Sequence, residues 1–137
     1  MVAQFAKDLK AKNLKVTPQR MAMLHEIEEN GHMDVDELYA RIKEFYPSIS
    51  LATIYKNIDA LCEANILREI KAPNHKQKYE LACDKHIHVA CEKCGKFEDL
   101  KMDTTTLEEM GSHKSGYRLY DTSAVLIGVC PECVQRA

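Results

Sequence analysis

Two C-x2-C pairs, Cys91-Glu92-Lys93-Cys94 and Cys130-Pro131-Glu132-Cys133, stand 35 residues apart. The two-residue gap lets both thiolates of a pair face one ion across a tight turn, and Gly95 supplies the backbone freedom a knuckle needs. Four thiolates make a closed tetrahedral set with metal–sulfur bonds of about 2.3 Å, the pattern of structural Zn(II). Such a site contributes folding free energy directly and here would clip a late strand onto an earlier one. Two redox-active dithiols are the alternative. They are disfavoured because neither pair reads as opening a helix. Cys62 and Cys83 lie outside the pattern and read as inert buried thiols. Residues Met1 to Asp8 hold no apolar block of the export type. Six cysteines without such a block argue for metal rather than disulfides, and for a cytoplasmic protein.

The rest of the chain predicts an α+β protein. A helix over residues 2–12 ends at Asn13. Thr17-Pro18 starts a second helix, carrying Met21, Leu24 and Ile27, which stops at Asn30-Gly31. Asp34 with Glu37 is a capping-box pattern before Val35, Leu38 and Ile42; Pro47 ends that helix. Ser50 caps the next helix, with Leu51, Ile54, Ile58 and Leu61 on one face. Residues 66–70 and 77–81 then read as a hairpin turning at 72–76. Helices followed by a hairpin give a winged-helix DNA-binding domain over residues 1–82, its helix-turn-helix around Pro47-Ser48-Ile49. Residues 83–85 read as a hinge. Beyond it, residues 83–137 predict a small α/β zinc-containing dimerisation domain. Its strands fall near 87–91, 96–101 and 118–129, with a helix starting at 103–105. That half has too little core to stand easily without a metal and a partner subunit. No apolar run reaches the ~18 residues of a membrane span.

The net charge of −2 hides its distribution. Lys7, Lys10, Lys12, Lys15 and Arg20 face only Asp8 within the first twenty residues. Phosphate binding needs such a local excess rather than a basic whole.

A second donor cluster precedes the first knuckle. In His86-Ile87-His88, strand alternation puts both imidazoles on one face. Glu80 ends the wing, Asp99 lies on the following strand, and His32 sits in a loop position without a packing role. Three nitrogens and two carboxylates suit Fe(II), Mn(II) or zinc, the oxygens favouring iron and manganese. A metal held by both domains would set their angle and so the spacing of two reading heads in a dimer.

Three segments together resemble the ferric uptake regulator family nearly end to end. They are Asn13-Leu14-Lys15-Val16-Thr17-Pro18-Gln19-Arg20, Ser50-Leu51-Ala52-Thr53-Ile54-Tyr55-Lys56-Asn57-Ile58, and His86 to Gly95. The resemblance implies a homodimeric repressor on a double-stranded DNA operator. It assigns the regulatory metal to His32, Glu80, His86, His88 and Asp99. It places Tyr55 against bases in the major groove with Ala52, Thr53 and Asn57 nearby, Lys56 near phosphate, Lys15 in a minor groove and Arg20 on the backbone. Aspartate at 99 is similar to the peroxide-stress regulators of that family, whereas Glu80 departs towards the iron-uptake regulators. A further His/Asp-rich site of the uptake regulators falls here on Lys85, Ile87, Thr106 and Thr122, which cannot build it. His113 reads as a helix-surface residue. The implied function is peroxide sensing through Fe(II)-catalysed oxidation of a histidine ligand, His32 or His86, with peroxide the sole small-molecule substrate and no enzymatic turnover. The alternative is an iron- or zinc-uptake repressor, or one whose four-cysteine site is itself oxidised. Two readings outside the DNA-binding class remain: a non-haem iron enzyme, for which no substrate pocket is legible, and a zinc-ribbon interaction module.

Overall fold

The computed structural model describes residues 2–72, 75–82 and 86–136. The hinge expected at 83–85, with Cys83 and Lys85, and the wing-turn residues Pro73 and Asn74 lie outside the described residues. The chain divides into two compact units, Met1–Glu69 with Lys76–Cys83, and Ile70–His75 with Asp84–Ala137. Helices and strands mix in both, as an α+β chain requires. Among the described residues no helix is long and apolar enough to cross a membrane.

The first unit runs α1 (Val2–Ala11), α2 (Pro18–Asn30), β1 (His32–Asp34), α3 (Val35–Phe45), α4 (Leu51–Glu63), β2 (Leu67–Ile70) and β3 (Lys78–Leu81). Side chains cap three helices where the sequence places them. The Arg20 N–H donates to the Thr17 hydroxyl, that of Glu37 to Asp34, and that of Thr53 to Ser50. Gly31 ends α2 at φ 81°, a conformation L side chains resist. Leu9, Met23, Leu24, Ile27, Leu38, Ile42, Ile54, Ile58 and Leu61 are fully buried, so the stripes of four helices share one core.

The start of β2 and the strand β1 differ from expectation. Strand β2 begins at Leu67, because the Ile66 N–H is spent on Leu61 O, closing α4. Where the sequence predicts a loop around His32, strand β1 pairs antiparallel with β3 in a sheet ordered β1-β3-β2. His32 is therefore a strand residue, opposite Glu80.

The second unit holds β4 (Ile87–Cys91), β5 (Phe97–Leu100), α5 (Thr105–Ser115), β6 (Val125–Gly128) and α6 (Pro131–Gln135). Its sheet is ordered β5-β4-β6, with β4 antiparallel to β5 and parallel to β6. The strand expected from 118 starts only at Val125. Ahead of it the chain turns back onto α5: the Leu119 N–H donates to the Ser112 hydroxyl and the Thr122 hydroxyl to Glu108. Helix α6 was not expected. Cys130 is its N-cap, so the second cysteine pair, contrary to expectation, does open a short helix as a redox dithiol can.

Candidate metal centres and nucleic-acid interface

Parallel pairing brings the ends of β4 and β6 together, and each end carries a cysteine pair. One sulfur from each of Cys91, Cys94, Cys130 and Cys133 lies within 4.8 Å of the other three. Cys94 Sγ and Cys130 Sγ are 3.7 Å apart. A tetrahedron with metal–sulfur bonds of about 2.3 Å has edges of about 3.8 Å, so the donor set fits zinc. This convergence of all four sulfurs, rather than the absence of a helix, is what separates the set from two independent dithiols. The N–H groups of Cys94 and Cys130 donate to Cys91 Sγ at 3.4 and 3.3 Å and hold that thiol down at about 6. Cys133 goes the other way, pushed up to about 12 by its hydrogen bond with Cys130 and by burial. Four sulfurs this close cannot all ionise without a cation among them.

The second cluster lies on the same sheet. His88 is opposite Asp99 in the β4–β5 register. Its Nε2 is 3.3 Å from Asp99 Oδ1, and that of His86 is 3.8 Å from the same oxygen. The two imidazole nitrogens are 3.2 Å apart. Two nitrogens and an oxygen thus converge as one face of a coordination sphere. His88 is buried, while Asp99 is 49% exposed, so the cluster has a solvent side. Phe97 stacks on the His88 ring at 5.1 Å and fixes its plane. His75 packs on Phe97 in turn and bonds Gly95 O through Nε2 at 2.9 Å. Phe97 was missed by sequence reasoning. A period of two back from Asp99 along β5 would have placed it on the His88 face.

In the first unit, His32 and Glu80 form a cross-strand pair. Glu80 is 1% exposed and accepts from Arg68 Nε at 3.2 Å, which offsets the cost of burying its charge. Arg68 too was missed, being twelve residues away and adjacent only through the sheet. His32 Nδ1 is buried.

The expected DNA-reading residues stand on the open side of α4. Ile54 and Ile58 are buried, whereas Ala52 and Lys56 are exposed and Tyr55 is 47% exposed. Thr53 and Asn57 are half-buried, and Lys15 is exposed on the loop between α1 and α2. Arg20 reaches both neighbours, donating from Nε to Asn57 Oδ1 at 3.0 Å and from Nη1 to Lys15 O at 2.9 Å. His113 is exposed on α5. Thr122 and Thr104 both donate to the buried Glu108 carboxylate, at 2.7 and 2.9 Å.

Residues 11–126 match the sequence profile of the Ferric uptake regulator family. The peroxide operon regulator of Bacillus subtilis is 27% identical over 130 residues, covering 93% of this chain and 90% of that protein. The crystal structure of the Campylobacter jejuni peroxide stress regulator superposes with a TM-score of 0.75 at 34% identity, covering 97% of this chain and 98% of that one. The Vibrio cholerae ferric uptake regulator gives a TM-score of 0.71 at 27% identity, over 92% of this chain and 99% of that one.

Proposed function

Because the chain belongs to the ferric uptake regulator family, we propose that it is a homodimeric, metal-dependent repressor that responds to hydrogen peroxide. It acts in the cytoplasm as a regulator that is consumed, not as an enzyme. Residues 1–82 form the DNA-binding domain and residues 83–137 the dimerisation domain. Cys91, Cys94, Cys130 and Cys133 hold Zn(II). His86, His88 and Asp99 hold a second metal, Fe(II) or Mn(II), with Glu80 and His32 completing the set from the other domain. The observation that carries this reading is the convergence of His86, His88 and Asp99 on one point of a sheet with a solvent side.

Held by these residues, Fe(II) would supply the reducing power that cleaves peroxide into a strong oxidant beside the ligands, whereas Mn(II) would not. His32 and His86 would be the ligands to take up oxygen, since His88 stacks against Phe97. An oxygenated imidazole is a poor donor. Loss of that donor would release the metal, and the dimer would leave its operator. On the DNA, Tyr55 reads bases in the major groove beside Ala52, Thr53 and Asn57, Lys56 meets phosphate and Lys15 enters a minor groove. Glu80 is the feature that favours the alternative, an iron- or zinc-uptake repressor.

Anaerobic protein loaded with Fe(II) or with Mn(II), given equimolar peroxide, separates the two. Loss of DNA binding in the iron sample alone, with a gain of one oxygen on the His32 or His86 peptide, supports peroxide sensing. Retained binding and unmodified histidines in both samples leave the uptake repressor standing.

A further inference from the structure

Lys15 and α4 are separate pieces of backbone, and a reader that touches two grooves at once must hold their separation constant. The loop carrying Lys15 leaves α1 through Asn13, which is in the left-handed region at φ 59°, and is followed by α2. Lys15 itself is exposed and near one side chain that spans the gap. Arg20 sits in the first turn of α2, its own N–H anchored on the Thr17 hydroxyl at 3.2 Å. Its guanidinium then forks: Nε donates to Asn57 Oδ1 on α4 and Nη1 to the carbonyl oxygen of Lys15. A planar guanidinium holds two acceptors at a set distance and angle, which a single ammonium on a flexible stem does not. Asn57 is half-buried between the buried Ile54 and Ile58 turns, so the α4 end of the bridge is rigid.

We propose that Arg20 is a positioning residue, a strut that sets the distance between the minor-groove reader Lys15 and the major-groove reader α4, with Asn57 as its seat. This rests on the DNA-reading assignment above and deepens it: Arg20 acts through Lys15 and Asn57 and not chiefly as one more phosphate contact.

The probe is the duplex that Mn(II)-loaded wild-type protein enriches from a randomised pool. Lys15→Ala weakens binding to it by about tenfold and reduces the preference for A·T over G·C at the minor-groove step. In an Arg20→Ala background the same Lys15→Ala change costs less than about twofold, because the contact has already lost its placement. Arg20→Lys keeps the charge but loses the fork, so it loses the A·T preference as Arg20→Ala does. Asn57→Ala removes the seat together with any base contact of Asn57 itself, so its readout is the coupling alone: in that background Lys15→Ala again costs less than about twofold, which keeps the test alive should the Arg20 variants fail to fold. Independent, multiplying losses for Arg20→Ala and Lys15→Ala, with wild-type affinity and preference in Arg20→Lys, overturn the strut alone. A pool from which the wild-type protein enriches no duplex overturns the DNA-reading assignment and the strut with it.

Discussion

Cys62 and Cys91 carry the same functional group, and their surroundings drive them to opposite chemistry. Cys91 receives two amide N–H groups and is held at about 6, a thiolate at neutral pH. Cys62 is pushed from 9.0 to about 11, first by burial and then by Glu69 and Asp59. At pH 8 a thiol at 11 is ionised about one part in a thousand, against about one in ten for a thiol at 9. Zinc-loaded protein treated with iodoacetamide at pH 8 should therefore return an unmodified Cys62 peptide; rapid alkylation there would contradict the assignment. Folding holds this proton more tightly than the unfolded chain does. The stability it confers is present below pH 9.0 and lost as pH rises through about 11. Wild type should lose Tm relative to Cys62→Ala across that window. The four clustered cysteines were legible because their chemistry is written in two short motifs. The Phe97–His88 stack and the Arg68–Glu80 pair were not, since both exist only through strand register.

Helices α1 and α4 end in the same device. Asn13 and Asn65 adopt φ of 59° and 58°. The following residues, Leu14 and Ile66, return their N–H groups to Leu9 and Leu61, and both pairs are apolar. In this conformation glycine is unstrained, while a β-branched side chain costs about 1–2 kcal/mol. Asn65→Gly should leave the urea midpoint unchanged or raised, and Asn65→Val should lower stability by about that amount; equal effects would mean the cap is not limiting. Helix starts were readable at Thr17, Asp34 and Ser50 because each capping bond joins residues three apart. Strand β1 escaped because three residues between a helix stop and a helix cap leave no period to detect. Helix α6, five residues long, was hidden behind the cysteine pair that opens it.

The two units are unequal in what holds them. The apolar cluster from Phe5 to Tyr79 lies wholly in the first, whereas among the described residues of the second the buried apolar side chains are Ile70, Ile87, Ala90, Cys91 and Cys133. Two of those five belong to the four-cysteine cluster. Removal of zinc by a strong chelator should abolish amide-exchange protection in β4 and β6 and leave that of α2 and α4 in place. Protection lost to the same extent in both units would mean that they do not fold separately. Parallel pairing of β4 with β6 has one more consequence, for the protein as it is made. Cys91 and Cys94 leave the ribosome well before Cys130 and Cys133, and β4 cannot take its parallel neighbour until the residues between have followed. During that interval the chain offers a two-sulfur grip, open to oxidants and to any soft ion at hand. A complete four-sulfur grip therefore exists only once the last strand has been made and has found β4.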